Sequence, residues 1–145
     1  MRRLLLVDDD EEEFELFLSA VKEISKDVEV IHAAGCGDIL SILSADQPEI
    51  VFLDINMPTV DGIDCLKIIR AQEAYATLPI VMYSTSSNKL SIQQSFDHKA
   101  NLYVVKSYSY EGLLLVLSKV FSINWQNDKP KTLNDFVITD QQPGS

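Results

Sequence analysis

The chain has 145 residues, 46% of them hydrophobic, which suits one domain with a buried core and excludes disorder throughout. Its net charge of −10, from 22 acidic and 12 basic residues, argues against direct binding to nucleic acid or to anionic lipid. No apolar run is long enough to cross a bilayer, and the N-terminus lacks the features of a secretory signal, so we expect a cytoplasmic protein.

Five short apolar runs alternate with stretches of helical periodicity. The runs cover residues 4–7, 28–33, 50–53, 80–83 and 102–105. Four of them are almost continuously apolar, which is typical of strands that are buried on both faces of a parallel sheet. The second run contains Glu29 and His32 and is therefore expected at an edge of the sheet.

Between the runs, apolar residues recur at the spacing of amphipathic helices. The markers of five helices are Phe14, Phe17, Leu18, Val21 and Ile24; Ile39, Leu40 and Leu43; Ile63, Leu66 and Ile69; Ile92 and Phe96; and Leu113, Leu117, Val120 and Phe121. Asp10, Asp61 and Ser109 precede three of these helices and are expected to cap them. The alternation predicts an α/β fold of βαβ units, with helices on both faces of a parallel sheet.

The predicted domain covers residues 1–123. From Asn124 to Ser145 polar residues dominate, and only Phe136, Val137 and Ile138 interrupt them. This tail is expected to be loose or partly packed on the body through those three residues, and no second domain is expected after it.

The two cysteines, Cys36 and Cys65, lie far apart in the sequence. Their spacing matches neither a zinc site nor a redox motif. We therefore expect two reduced and mostly buried thiols.

Polar residues come directly after four of the predicted strands. Asp8 and Asp9 follow the first, Asp54 the third, Ser84 the fourth and Lys106 the fifth. With the strand order 2-1-3-4-5, these residues would meet at the carboxyl edge of the sheet, where open α/β sheets form their sites. Crowded carboxylates favour a hard cation such as Mg²⁺, and an Asp carboxylate can attack a phosphoryl group.

Each of these residues also has a structural explanation. The acidic run 8–13 suits the first turn of a helix, and this is the preferred interpretation for Asp10 and the glutamates. Lys106 alone could extend along the surface to reach solvent, and Ser84 alone could be a loop residue. The joint position of the residues after the strands favours a functional site.

Four segments resemble the receiver domains of two-component response regulators. They are 7–10 (VDDD), 53–62 (LDINMPTVDG), 78–84 (LPIVMYS) and 103–106 (YVVK). The resemblance covers residues 1 to about 123 and implies a flavodoxin-like (βα)5 fold with the strand order 2-1-3-4-5. It also implies an aspartate that a partner histidine kinase phosphorylates.

The resemblance assigns a role to each matching position. Asp54 becomes the phosphoacceptor, and Lys106 faces the phosphoryl group. The implied Mg²⁺ ligands are Asp8, Asp9, Asp54 and the backbone carbonyl of Asn56. The implied switch residues are Ser84, which follows the phosphoryl group, and Tyr103, which turns inward on activation.

Two positions depart from the family pattern. Ser107 follows Lys106, where the family usually has a proline in a cis peptide. Without proline a cis bond costs roughly 3–4 kcal/mol, so we expect a trans bond here. Thr85 stands where a smaller residue is common, and it is expected to narrow access to the phosphoryl group.

The resemblance implies a regulator rather than an enzyme. Such a regulator catalyses only its own phosphotransfer and dephosphorylation. Its expected partners are a sensor histidine kinase or histidine phosphotransfer protein and a downstream protein target, with a monomer or a phosphorylation-dependent dimer as the active form. A phosphorelay shuttle and a phosphorylation-independent adaptor remain alternatives. An Asp-dependent phosphatase is disfavoured because Asn56 replaces the general acid, and a flavin-binding protein is disfavoured because the acids after the first strand would repel a phosphate.

Overall fold

The computed structural model describes residues 2–57, 61–125 and 132–140, so residues 58–60 of the LDINMPTVDG segment lie outside the described residues. The strands are β1 (Arg3–Val7), β2 (Glu29–Ala33), β3 (Ile50–Asp54), β4 (Ile80–Ser84), β5 (Leu102–Val105) and β6 (Val137–Ile138). They form one parallel sheet in the order β2-β1-β3-β4-β5-β6. The predicted order 2-1-3-4-5 is confirmed, as is the edge position of β2, and β6 adds a sixth strand that was not predicted.

The helices are α1 (Glu11–Ile24), α2 (Ile39–Asp46), α3 (Gly62–Arg70), α4 (Lys89–Asp97), α5 (Tyr110–Phe121) and α6 (Leu133–Phe136). The three predicted N-caps are confirmed, because the side chains of Asp10, Asp61 and Ser109 accept hydrogen bonds from backbone N–H groups in the first turns of α1, α3 and α5. Within the described residues, no helix has both the length and the apolar character that a membrane crossing requires.

The core consists of two apolar layers, one on each face of the sheet. Because side chains alternate along a strand, Leu5 and Val7 of β1 join one layer while Leu4 and Leu6 join the other. Helices α1 and α5 cover the face of Leu4 and Leu6, and α2, α3, α4 and α6 cover the opposite face. The four strands that the predicted polar residues follow, β1, β3, β4 and β5, are therefore covered by apolar side chains on both faces of the sheet.

The described part of the tail, residues 132–140, packs against β5 and α4. Phe136 is fully buried, and its ring meets that of Phe96 edge-on with the centroids 5.3 Å apart. Strand β6 continues the sheet, with Val137 paired to Tyr103. The Ser107 hydroxyl donates to Asp140 Oδ2 at 2.6 Å and so ties the tail to the loop after Lys106.

Cys36 and Cys65 form a disulfide, so the expectation of two reduced thiols is wrong. The strand order β2-β1-β3 brings the loop after β2 beside α3, and the two Cα atoms lie 5.9 Å apart, a usual separation for a disulfide. Spacing in the sequence carries no information about this distance, because the two cysteines belong to different βα units.

Candidate functional site

Four of the predicted polar residues lie together at the carboxyl edge of the sheet. Asp54 ends β3 and Ser84 ends β4, while Asp8 and Lys106 are the first residues after β1 and β5. Asp8, Asp54 and Ser84 are buried, with 0%, 4% and 1% of their surfaces exposed. Such burial of two carboxylates is costly unless positive charge or hydrogen bonds offset it.

Lys106 supplies positive charge to this cluster. Its Nζ lies 3.5 Å from Asp54 Oδ1 and 3.7 Å from Asp8 Oδ2, and its side chain is only 9% exposed. The ammonium also lies over the ring of Tyr83, 4.8 Å from the centroid. Lys106 is thus enclosed by acids and an aromatic face, which favour its charged form.

Glu13 is a site residue that the sequence interpretation missed, because the acidic run was assigned to a helical first turn. Its Oε2 lies 2.6 Å from Lys106 Nζ, the shortest contact of that ammonium. The buried residues of α1 are Phe17, Ala20 and Val21, which follow Glu13 by four, seven and eight positions. An acid on the stripe that faces the core was therefore the signal that could have identified it.

The loop after Asp54 is anchored where α3 begins. Gly62 N donates to the carbonyl of Ile55 at 3.0 Å, and a Cβ on Gly62 would overlap the carbonyl oxygen of Asp54. Only glycine allows this close approach of two backbones. The Asp61-Gly62 pair therefore both caps α3 and fixes the chain beside the candidate acceptor.

The electrostatics of the cluster depend on burial and on the shared lysine. Burial, together with the neighbouring carboxylate of Glu13, raises the pKa of Asp8 to about 8. Burial also raises the pKa of Asp54, against the attraction of Lys106. Burial opposes the charged form of Glu13 as well, but the neighbouring Asp8 carboxyl group and the hydrogen bond from Lys106 hold its pKa below the usual value.

We expect Asp8 to contribute a loss of stability to the metal-free protein as the pH rises from 3.8, the ordinary Asp value, to about 8. Over this range the folded protein keeps a proton on Asp8 that the unfolded chain has released, so the slope is negative and at most about 1.4 kcal/mol per pH unit for this group. Urea unfolding at a series of pH values measures it. Asp8→Asn should remove most of the slope, and an unchanged slope in that variant would contradict the assignment.

The donor set fits a hard divalent cation. Oxygens of Asp8, Glu13 and Asp54 lie within 4.8 Å of one another, and within the described residues Asp8 Oδ2 is buried without a hydrogen-bond partner. Carboxylate oxygens are ligands that Mg²⁺ prefers. Asp9 is exposed and lies outside this group, so its predicted place as a ligand stays a prediction.

Asn56 and Ser84 connect Asp54 to β4. The backbone N–H of Asn56 donates to Asp54 Oδ1 at 3.2 Å, and its side-chain amide donates to Ser84 Oγ at 3.4 Å. The ligand role predicted for the Asn56 carbonyl stays a prediction. Ser84 Oγ also accepts from Ser86 N at 3.1 Å, so this hydroxyl lies between Asn56 and the loop after β4.

Tyr103 is fully buried in this structure. Its hydroxyl donates to the carbonyl of Ser86 at 2.7 Å, in the same loop that contacts Ser84. The ring therefore already occupies the inward position that the resemblance associates with activation. Its predicted role as a switch stays a prediction.

The two departures from the family pattern lie beside Lys106. The peptide bond between Lys106 and Ser107 is trans, as expected from the lack of proline. The Ser107 hydroxyl accepts from Ser109 N at 3.1 Å, in addition to its bond to Asp140. Thr85 lines a cavity of about 270 Å³ that opens beside Lys106, and its effect on access stays a prediction.

Comparison with known proteins identifies similar sequences among response regulators. A family model described as the response regulator receiver domain matches residues 4–118. The chain is 30% identical over 122 residues to the chemotaxis protein CheY-3 of Vibrio cholerae, covering 82% of this chain and 91% of that protein. It is 26% identical over 100 residues to the DNA-binding transcriptional regulator NtrC of Proteus hauseri, covering 69% of this chain but only 21% of that protein.

A solved structure supports the fold. The phosphorylated cyanobacterial phytochrome response regulator RcpA superposes with a TM-score of 0.78 at 24% identity, covering 90% of this chain and 99% of that one. The family model covers most of the chain, and Asp8, Asp54, Ser84 and Lys106 converge where the resemblance requires them. The chain therefore belongs to the family of response regulator receiver domains.

Proposed function

We propose that this receiver domain accepts a phosphoryl group on Asp54 from a histidine kinase or histidine phosphotransfer protein, with Mg²⁺ bound, and signals by docking to a protein target. In this proposal the domain catalyses only its own phosphorylation and dephosphorylation. The proposal extends the family assignment to a particular acceptor and mechanism.

The observation that carries the proposal is the position of Asp54 relative to Lys106. Asp54 Oδ1 lies 3.5 Å from Lys106 Nζ, and both groups lie at the open carboxyl edge of the sheet. A carboxylate at the end of a fully buried strand has little structural purpose, since its burial opposes its charge. Its surroundings suit a nucleophile whose product carries more negative charge than the free carboxylate.

The chemistry uses groups of this chain. A carboxylate oxygen of Asp54 attacks phosphorus, the P–N bond of a phosphohistidine donor breaks, and the bonding pair leaves with the imidazole nitrogen. Lys106 and the hydroxyl of Ser84 are positioned to bind oxygens of the transferred group. The backbone N–H of Asn56 keeps the Asp54 carboxylate oriented through its 3.2 Å hydrogen bond.

Asp8 and Asp54 are the buried carboxylates of this group that would hold the cation, and Asp9 is the further ligand that the resemblance implies. Glu13, the third acid of the group, is instead paired with Lys106. The buried Oδ2 of Asp8, which has no hydrogen-bond partner among the described residues, is the atom that most needs it. When bound, the ion offsets the charge of the carboxylates and of the transferred oxygens.

Phosphorylation with acetyl phosphate and Mg²⁺ tests the acceptor. We expect intact-protein mass spectrometry to show one added phosphoryl group in the wild type and none in Asp54→Asn, because the amide lacks the nucleophilic oxygen anion. Asp38→Asn is the matched control, since Asp38 is exposed and its side chain caps nothing, and it should be labelled like the wild type.

Two results would refute the proposal. One is labelling of Asp54→Asn to the wild-type extent, which would place the acceptor elsewhere. The other is undiminished labelling after a chelator removes divalent cations, which would exclude the metal requirement. Labelling of the wild type that depends on both Mg²⁺ and Asp54 supports it.

The surface around the site offers places for a donor to dock. Leu16 of α1, Tyr110 at the start of α5 and Tyr108 in the loop before it are exposed and border the cavity beside Lys106. A phosphohistidine must reach Asp54 through this edge of the sheet, because both faces are covered by helices. We infer that the donor contacts this border.

A further inference from the structure

Glu13 has no part in the phosphotransfer chemistry proposed above, although it makes the closest contact of the site. The separation of 2.6 Å between Glu13 Oε2 and Lys106 Nζ is that of a charge-assisted hydrogen bond. The separations of 3.5 Å to Asp54 and 3.7 Å to Asp8 are longer than hydrogen bonds, so these carboxylates attract the ammonium without binding it directly.

The two partners of this ion pair differ in their access to water. The side chain of Lys106 is 9% exposed, whereas that of Glu13 is 37% exposed. If Lys106 leaves the pair, Glu13 can be hydrated from the solvent side. Lys106, by contrast, needs another anionic partner inside the site, because a buried unpaired ammonium is costly.

We propose that Glu13 is a positioning residue that holds Lys106 back from Asp54 in the unphosphorylated protein. When Asp54 carries a phosphoryl group, Lys106 exchanges the Glu13 carboxylate for a phosphoryl oxygen, and water solvates Glu13. This inference rests on the proposed function, since it requires a phosphoryl group at Asp54. Glu13 then tunes how strongly the site holds the phosphorylated state.

Glu13 and the phosphoryl group compete for Lys106, so removing the charge of Glu13 should strengthen the binding of the phosphoryl group. The phosphoryl group must draw the ammonium away from Glu13, so part of the attraction between Lys106 and the phosphoryl oxygens is offset by the ion pair that is lost. Glu13→Gln keeps the size of the side chain but replaces the charged acceptor by a neutral one, which binds an ammonium more weakly. Lys106 is then freer to bind the phosphoryl group.

Binding of beryllofluoride, which mimics the phosphoryl group, tests this at saturating Mg²⁺. We expect Glu13→Gln to bind it about tenfold more tightly than the wild type, which corresponds to about 1.4 kcal/mol. Glu12→Gln removes the same charge from the neighbouring exposed position of α1 and should change the affinity less than about twofold. NMR titration of backbone amides around Asp54 provides the affinities.

A double-mutant cycle separates the exchange of Lys106 from simple charge repulsion. In a Lys106→Ala background the lysine cannot be shared, so Glu13→Gln should have almost no effect on beryllofluoride binding. Persistence of the full tenfold gain in that background would overturn the inference. So would unchanged or weaker binding by Glu13→Gln alone.

Magnesium affinity, measured separately by calorimetry, distinguishes positioning from metal binding. We expect Glu13→Gln to bind Mg²⁺ as the wild type does, and a large loss of affinity would make Glu13 a metal ligand and overturn the positioning role. If the wild type bound no beryllofluoride and took no label from acetyl phosphate, the proposed function would fail and this inference with it. If the wild type binds beryllofluoride and is labelled by acetyl phosphate, but Glu13→Gln binds beryllofluoride no more tightly than the wild type, this inference alone fails.

Discussion

Replacing Phe136 with alanine is expected to lower the free energy of unfolding by about 3–5 kcal/mol, the usual cost of truncating a fully buried phenylalanine. Phe136 has no exposed surface and packs edge-on against Phe96 of α4, in the same apolar layer as Tyr103. Removing the ring leaves a cavity between the tail and the body. Urea unfolding monitored by circular dichroism measures the loss.

Leu133→Ala is the matched control for this prediction. Leu133 begins the same short helix, but it is 39% exposed, so its truncation should cost less than about 1 kcal/mol. Equal stability of wild type and Phe136→Ala would contradict the packing of the tail. Because Val137 pairs with Tyr103, the Phe136 variant should also show faster amide exchange in β5 than the control variant.

Loss of the disulfide is expected to lower the free energy of unfolding by about 3–4 kcal/mol, because the bond closes a loop and restricts the unfolded chain. Cys36 and Cys65 are 29 positions apart, a moderate loop for this effect. Both sulfur-bearing residues are buried, with 6% and 0% exposure, so reduction requires a strong dithiol and time. Urea unfolding with and without dithiothreitol gives the difference.

The double variant Cys36→Ala, Cys65→Ala is the control for reduction. Its free energy of unfolding should equal that of the reduced wild type, apart from a small loss caused by the cavities that the two missing sulfur atoms leave. Dithiothreitol should not change its unfolding curve. Mass spectrometry of the unreduced protein after thiol alkylation reports the bond directly. Two alkylated cysteines in that sample, with the same unfolding curve in both conditions, would refute this prediction.

The sequence was sufficient to predict a parallel sheet and, through the family resemblance, its strand order and the convergence of Asp8, Asp54, Ser84 and Lys106. Continuous apolar runs identify buried parallel strands, and the residues at the carboxyl ends of parallel strands come together at one edge of the sheet. The helix caps were equally predictable, since Asp10, Asp61 and Ser109 stand directly before apolar periodicity. In each case a local pattern and the global topology point to the same structure.

Three features were not predicted, each for a physical reason. Glu13 stands in an acidic run that the helix dipole already explains, and only its place on the buried stripe of α1 distinguishes it. The disulfide depends on a distance between two βα units. Strand β6 has only two residues, Val137 and Ile138, too few for an alternation pattern to indicate a strand.

The short strand β6 also affects how the sheet meets other chains. A sheet edge presents unpaired N–H and C=O groups, which can nucleate intermolecular pairing and aggregation. In the described residues β6 forms the outer edge beside β5, and an edge of two residues offers few such groups. The opposite edge, β2, carries exposed Glu29, whose charge disfavours stacking of like edges. By pairing with β5, the tail therefore shortens the edge that this side of the sheet presents to other chains.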